Sequence, residues 1–167
     1  MTTNQKGAIA ETAIAHEAIK LGIGVLRPLS DMQYDLVFDT GRQLLRVQCK
    51  WVMRQGDVVA IRTRRCRRAR AGLVHRSYSS DEIDVIAAYC AELDTCYLLP
   101  PELSVDRSMV LLRLRPTRNN QSAGIRWARD FEFGAKLGGL GPIAQLGERE
   151  RGTLEAAGSS PAGSTSI

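Results

Sequence analysis

The chain has few of the residues from which many familiar active sites are built. Its 167 residues include only two histidines, His16 and His75, and we interpret both as surface residues of a helix or a loop. The sequence shows no Ser-His-Asp set, no glycine-rich phosphate-binding loop and no cluster of zinc ligands. These absences argue against a triad hydrolase, a P-loop enzyme and a zinc protein, and no small-molecule cofactor is expected.

The cysteines do not form a recognisable disulfide or metal pattern. Cys49, Cys66, Cys90 and Cys96 include no CxxC pair and have no histidine at ligand spacing, which is typical of reduced cytosolic thiols. No signal peptide is visible, and no apolar run approaches the length of a membrane span. We therefore expect a cytoplasmic protein with no membrane partner.

Aromatic residues are scarce, whereas basic residues are in excess. Phe, Trp and Tyr make up 5% of the chain, which argues against a stacking platform for single-stranded nucleic acid. Lys and Arg number 23 against 18 Asp and Glu, which gives a net charge of +5. Because arginine forks onto phosphate groups, the expected partner is double-stranded DNA.

Much of the positive charge lies in one segment, which we call the arginine cluster. No acidic residue occurs from position 58 to position 80. A run of one sign repels itself unless an anion neutralises it, which favours contact with DNA. The alternative is a solvated face of a loop or helix. The arginine cluster consists of Arg62, Arg64, Arg65, Arg67, Arg68, Arg70 and Arg76.

A hairpin is the most informative local feature. Residues 34–40 and 44–52 are rich in β-formers, and Gly41 and Arg42 between them suit a two-residue turn. With a tight turn, positions pair when their numbers sum to about 83. Asp35 then lies opposite Gln48, and Lys50 projects from the same face as Gln48 because side chains alternate along a strand.

This face of the hairpin supports two interpretations. Opposed and diagonal side chains lie roughly 5–8 Å apart, a span that suits a divalent ion and an attacking water. A carboxylate, an amide oxygen and a lysine in that arrangement indicate a metal-dependent phosphodiesterase. The alternative is the polar solvent face of an ordinary antiparallel hairpin.

The remaining elements indicate a mixed α/β domain over residues 1–135. Residues 3–21 are predicted to form a helix capped by Thr3 or Asn4 and stopped at Gly22. Glu11 borders its apolar stripe and is either a helix-flank residue or a candidate ligand. Further strands are predicted at 25–29, 58–63, 83–89, 95–99 and 109–115, with 83–89 central because it is almost wholly apolar.

Two other groups of residues are open to more than one interpretation. Asp81, Glu82 and Asp84 lie just before the predicted central strand and would either be solvated there or add an acidic ligand. Trp127 would either pack in the core or touch DNA, and core packing is the preferred interpretation for a lone tryptophan.

Taken together, these residues resemble the PD-(D/E)XK nuclease superfamily. The similarity covers roughly residues 5–100 and includes Glu11 in the first helix, Asp35 in YDLVFD, and Gln48 and Lys50 in VQCKW. The apolar strands within DEIDVIAAYCAELDTCYLLPPE also match. Gln48 stands where the superfamily has an acidic residue. That difference is tolerated in the homing endonucleases of group I introns, so the chain is most similar to this branch.

The resemblance implies a single restriction-endonuclease-like domain, a mixed β-sheet flanked by helices. It also implies Mg²⁺-dependent hydrolysis of both DNA strands at a long and rare site, with Mn²⁺ as the alternative ion. Asp35, the Gln48 amide oxygen and the Cys49 backbone carbonyl would hold the ion, and Glu11 would complete the shell. Lys50 would orient or deprotonate the attacking water.

Gln48 and the need to cut two strands have further consequences. A neutral amide removes one negative charge from the site, which predicts weaker metal binding. Cutting both strands requires two active sites, so a homo-oligomer, either a dimer or a tetramer, is expected. A structure-specific nuclease such as a junction resolvase and a DNA-binding module that has lost catalysis are the alternative functions.

Residues 136–167 are predicted to form a disordered tail, because Gly, Ser and Ala replace the periodic pattern. The tail can also be back-translated into a tRNA gene: IAQLGER allows a D-arm and AGSSPA a T-arm. Codons 141–165 span about 75 bases, roughly one tRNA. We hypothesise that the reading frame runs into a tRNA gene. The hypothesis is wrong if the nucleotide sequence cannot fold as a cloverleaf.

Overall fold

A computed structural model describes residues 1–69, 72–103, 107–116 and 123–138, with residues 66–69 and 73–75 described by their backbone alone. The predicted tail from residue 139 onwards lies outside these ranges. The elements in chain order are α1 (Thr3–Lys20), β1 (Gly24–Leu26), β2 (Leu36–Asp39), β3 (Leu44–Gln55), β4 (Val58–Arg62), β5 (Arg64–Ala69), β6 (Gly72–Ser77), β7 (Val85–Cys90), β8 (Thr95–Leu99), β9 (Met109–Arg113) and α2 (Phe133–Leu137). Single-turn 3₁₀ helices occur at Pro101–Leu103 and Ala128–Phe131.

The fold is mixed α/β, as the sequence predicts. In the described part of the chain, seven strands form one sheet, which contains the path β1-β2-β3-β4-β9 and the pair β7-β8. Strand β3 pairs antiparallel with β2 and β4 and parallel with β7. Strand β7 lies between β3 and β8, so its predicted central position is confirmed. No helix of the described residues is long and apolar enough to cross a membrane.

Helix α1 packs one face on the sheet and thereby places Glu11. Ala10, Ile14 and Ala18 are buried, in agreement with the predicted apolar stripe. The predicted cap is wrong by one or two residues, because Thr2 is the N-cap. Its hydroxyl accepts from the Gln5 N–H at 3.2 Å, and the Gln5 side chain accepts from the Thr2 N–H at 2.8 Å. A capping box needs Gln or Glu at the third helical position. Gln5 occupies that position only when Thr2 is the N-cap, which selects Thr2 over Thr3 and Asn4.

The arginine cluster folds into an element that the sequence does not predict. Strands β5 and β6 form a separate two-stranded antiparallel sheet, with Arg64 paired with Ser77 and Ala69 with Gly72. We call this element the arginine hairpin.

At the C-terminal end of the described residues, α2 extends through Leu137, two residues past the predicted boundary at 135. Phe133 and Leu137 of α2 are buried against the α1 face of the sheet.

Candidate active site

The β2–β3 hairpin has the predicted register. Leu36 pairs with Val47 and Asp39 with Leu44, so the numbers of paired residues sum to 83. Gly41 adopts a φ of 74°, as the tight turn requires. The Asp35 N–H continues the ladder by donating to the Val47 carbonyl at 2.9 Å. Asp35 therefore lies opposite Gln48, and the Gln48 amide nitrogen donates to Asp35 Oδ2.

The Asp35 carboxylate is half-buried and held from two sides. Besides the Gln48 amide, the Cys49 backbone N–H donates to Oδ2 at 2.7 Å. Burial raises the pKa of Asp35, and this effect is opposed by the Cys49 hydrogen bond and by the positive charge of Lys50. A carboxylate fixed by hydrogen bonds and partly withdrawn from water is suited to bind a cation.

Cys49 presents its backbone, not its thiol, to this site. Strand alternation directs the side chain into the core, where it is 9% exposed. Burial, followed by the charges of Asp35 and Glu11, strongly raises the pKa of the thiol, so it stays protonated. The Cys49 carbonyl oxygen accepts from the Gln48 amide nitrogen at 3.3 Å. The Asp35 and Cys49 oxygens thus share one donor.

Lys50 lies on the same face of β3 as Gln48 and is half-buried. Its ammonium group donates to the hydroxyl of Tyr78 at 2.8 Å. Burial lowers the pKa of Lys50, whereas the negative charge of Asp35 acts in the opposite direction. The structure therefore brings Asp35, Gln48 and Lys50 to one region, as the hairpin pattern predicts.

Glu11 reaches the same region from α1. Arg27, just after β1, donates to its carboxylate at 2.5 Å. Burial raises the pKa of Glu11, and the nearby negative charge of Asp35 raises it further. Glu11 and Asp35 both line a polar cavity of about 190 Å³, together with Arg27, Pro28, Ser30, Asp31, Met32 and Tyr34. Two carboxylates with mutually unfavourable charges at one cavity are a suitable environment for a cation.

The donor set fits a hard divalent cation. It offers two carboxylates, one amide and one backbone carbonyl, all of them oxygen ligands. The described residues contain no group of three or more His, Cys, Asp and Glu that would hold a metal by side chains alone. In the structure the Gln48 amide nitrogen faces the Asp35 and Cys49 oxygens. Rotation of the amide by 180° would present its oxygen instead, because the two ends are nearly isosteric.

Two acidic residues before β7 contact arginines instead of the Asp35 site. Asp84 accepts from the Arg46 backbone N–H at 2.7 Å and from its guanidinium at 2.7 and 2.9 Å. Glu82 lies 3.4 Å from both Arg65 and Arg76. These carboxylates fix the start of β7 and the base of the arginine hairpin, and neither is placed as a ligand of Asp35's site.

The structure describes the arginine cluster only in part. The side chains of Arg62, Arg64 and Arg76 are exposed, and Arg65 is half-buried at Glu82. For Arg67 and Arg68 only the backbone in β5 is described, and Arg70 lies outside the described residues. Trp127 is half-buried, and the guanidinium of Arg129 lies 5.5 Å from its ring.

Two residues of the site were not predicted from the sequence, Arg27 and Tyr78. Arg27 follows a short strand and carries a charge opposite to that of Glu11, which is a weak signal. Tyr78 is 28 positions from Lys50 and lies just after the last residue of the arginine cluster. A buried lysine requires a hydrogen-bond acceptor, but that requirement alone does not select Tyr78 from the other tyrosines.

Comparison with known proteins places this geometry in a family. The model of the PD-(D/E)XK endonucleases matches residues 1–134, and the chain belongs to that family. Nucleases of this family act on DNA and generally use divalent metal ions. No curated protein matches the chain significantly. Among solved structures, the chain is similar to a bacterial homing endonuclease, I-Ssp6803I, at 29% identity and a TM-score of 0.66 over 92% of this chain and 100% of that one.

Proposed function

We propose that the protein is a site-specific endonuclease that hydrolyses both strands of DNA with Mg²⁺, as a homing endonuclease of a mobile group I intron. The observation that carries the proposal is the hairpin register that joins Asp35, Gln48 and the Cys49 carbonyl, with Lys50 beside them. The similarity to a homing endonuclease over the whole length of that protein supports it.

In this proposal each residue of the site has a separate role. Asp35, the Cys49 carbonyl, the Gln48 amide oxygen and Glu11 would hold the ion, which supplies Lewis-acid charge to the phosphate when bound. Lys50 would orient the attacking water or accept its proton, and its charge would offset that of the phosphorane. Arg27 forms an ion pair with Glu11 and would have to give way to the ion.

One cleavage assay tests the proposed function. A supercoiled plasmid carrying the tRNA locus inferred from codons 141–165 is incubated with the protein in Mg²⁺ or in EDTA. Double-strand cuts at one site in Mg²⁺ alone support the proposal. Cuts confined to branched DNA would replace it with a structure-specific nuclease, and salt-sensitive binding without cuts would replace it with a DNA-binding module. Sedimentation of the active species would show whether it is the expected dimer or tetramer.

The Gln48→Glu variant should be less stable than the wild type in the absence of Mg²⁺ and should bind Mg²⁺ more tightly. In EDTA the new carboxylate would face the Asp35 carboxylate and the Cys49 carbonyl, so the Tm is expected to fall. In Mg²⁺ the added charge should raise metal affinity about tenfold, or about 1.4 kcal/mol. Thermal unfolding across a Mg²⁺ titration measures both effects. An unchanged Mg²⁺ response would exclude Gln48 from the metal shell.

Removing two exposed arginines at the base of the arginine hairpin should weaken DNA binding and its dependence on salt. For the double variant Arg62→Ala, Arg64→Ala, the slope of log Kd against log salt is expected to shrink by about 2, since each phosphate contact contributes about 0.9. Arg129→Ala is the matched control, because Arg129 is 77% exposed but lies outside the cluster. An unchanged slope in the double variant would mean that these arginines do not contact phosphates.

A further inference from the structure

The hydrogen bond between Lys50 and Tyr78 connects the proposed active site to the arginine hairpin. Tyr78 is the first residue after β6, and its hydroxyl lies 2.8 Å from Lys50 Nζ. The same ammonium lies 5.0 Å from the centre of the tyrosine ring. Both side chains are half-buried. The lysine is thus held by a side chain that directly follows a strand of a different sheet.

The base of the arginine hairpin fixes the position of Tyr78. Glu82 lies 3.4 Å from Arg65 of β5 and 3.4 Å from Arg76 of β6. Its other carboxylate oxygen accepts from the Ser79 N–H at 3.1 Å. These contacts hold the chain on both sides of Tyr78, so the tyrosine hydroxyl is a preorganised acceptor.

A lysine at a catalytic site needs such an acceptor. Its ammonium group ends a flexible stem and carries three donors that rotate freely. When one donor is committed to the Tyr78 oxygen, the group is fixed in rotation and the other donors point in defined directions. Fixed geometry, rather than additional charge, is what the tyrosine supplies, because burial keeps its hydroxyl protonated with a pKa raised to about 12.

We propose that Tyr78 is a positioning residue for strand cleavage, which orients the Lys50 ammonium toward the attacking water through its hydroxyl oxygen. The inference rests on the proposed function and adds a residue to its mechanism. Tyr78 acts on the reaction through Lys50, and the arginine hairpin sets where Tyr78 stands. Docking of the hairpin on DNA and alignment of the lysine therefore depend on one segment of chain.

The Tyr78→Phe variant tests this role because it removes one oxygen and keeps the ring. Under single-turnover conditions with saturating protein, its cleavage rate should fall about 10- to 100-fold, as for other residues that orient a catalytic group. The Kd for DNA should stay within experimental error of the wild-type value. The variant should remain folded at the assay temperature, with a Tm lower by a few degrees at most, because Lys50 loses one acceptor. Tyr89→Phe is the control, because the Tyr89 hydroxyl is also bonded, to Asp94 at 2.8 Å, but its side chain packs on Trp51, on the face of the sheet opposite to Lys50.

The outcomes separate this inference from the proposed function. A slower rate with an unchanged Kd, in a variant that is folded at the assay temperature, supports the positioning role. A wild-type rate in Tyr78→Phe overturns it while the proposed function stands. A slower rate accompanied by weaker DNA binding, or by unfolding at the assay temperature, also overturns it, because the tyrosine would then act through the fold. If the wild-type protein cuts no DNA, the proposed function fails and the inference fails with it.

Discussion

The Lys50→Ala variant is expected to lose cleavage while it retains DNA binding. A positioned group that handles the proton of the attacking nucleophile contributes about 10²- to 10⁴-fold to a rate, and Lys50 lies on the Gln48 face of β3, where the negative charge of Asp35 acts on its ammonium group. Binding depends on the phosphate contacts proposed for the arginine cluster, so the Kd should change little. Cleavage rate and Kd are measured on the same DNA.

Two further variants make the Lys50 result interpretable. Lys50→Met fills nearly the same volume and removes the cost of burying an ammonium group, so it should be folded and equally inactive. Lys20→Ala removes an exposed lysine that pairs with Glu17 at the end of α1 and should cut normally. Full activity of Lys50→Ala would remove Lys50 from the mechanism, and with it the role proposed for Tyr78.

The hairpin could be predicted from the sequence because its information is local. Gly41 supplies the positive φ of the turn, and β-formers on both sides leave one register that keeps Leu36 and Phe38 on the buried face. Shifting the pairing by one residue would expose both side chains. The same register then fixes the relation of Asp35 to Gln48, which is why the centre of the site follows from the sequence.

The arginine hairpin could not be predicted in the same way. Positions 64–69 show no alternation of apolar and polar residues, which is the usual sign of a strand. A run of arginines is instead typical of a solvated loop or helix face. Its strand structure comes from backbone pairing between β5 and β6, and Glu82 lies beside one arginine of each strand. The helix cap at Thr2 was missed for a related reason, since several adjacent polar residues can cap a helix and the choice depends on Gln5.

The partners of the site residues depend on contacts that are distant in sequence. Arg27 meets Glu11 only because β1 runs beside α1, and Tyr78 meets Lys50 only because the arginine hairpin returns to β3. Neither contact produces a recognisable pattern in the amino-acid sequence. The sequence predicts the catalytic residues when they lie on one local element such as the β2–β3 hairpin. It predicts poorly the residues that position them, because those residues come from elements distant in sequence.

The Asp35→Asn variant should have opposite effects on the metal-free and the metal-bound protein. Asparagine keeps an oxygen that can accept from the Cys49 N–H, and its neutral amide avoids the cost of burying a charge. In EDTA the variant should therefore be at least as stable as the wild type. In Mg²⁺ it should lose most of the metal-dependent rise in Tm and cut about 10³-fold more slowly, since the lost charge is worth several kcal/mol.

Asp39→Asn is the matched control for this prediction. Asp39 lies at the other end of β2, where its carboxylate accepts from the Gly41 N–H at 2.8 Å, and asparagine can make the same turn contact. This variant should keep both the Mg²⁺ response and the cleavage rate. If Asp35→Asn retained them as well, the oxygens gathered by the hairpin would not be the metal site. The cation would then have to bind at Glu11 and the cavity beyond it.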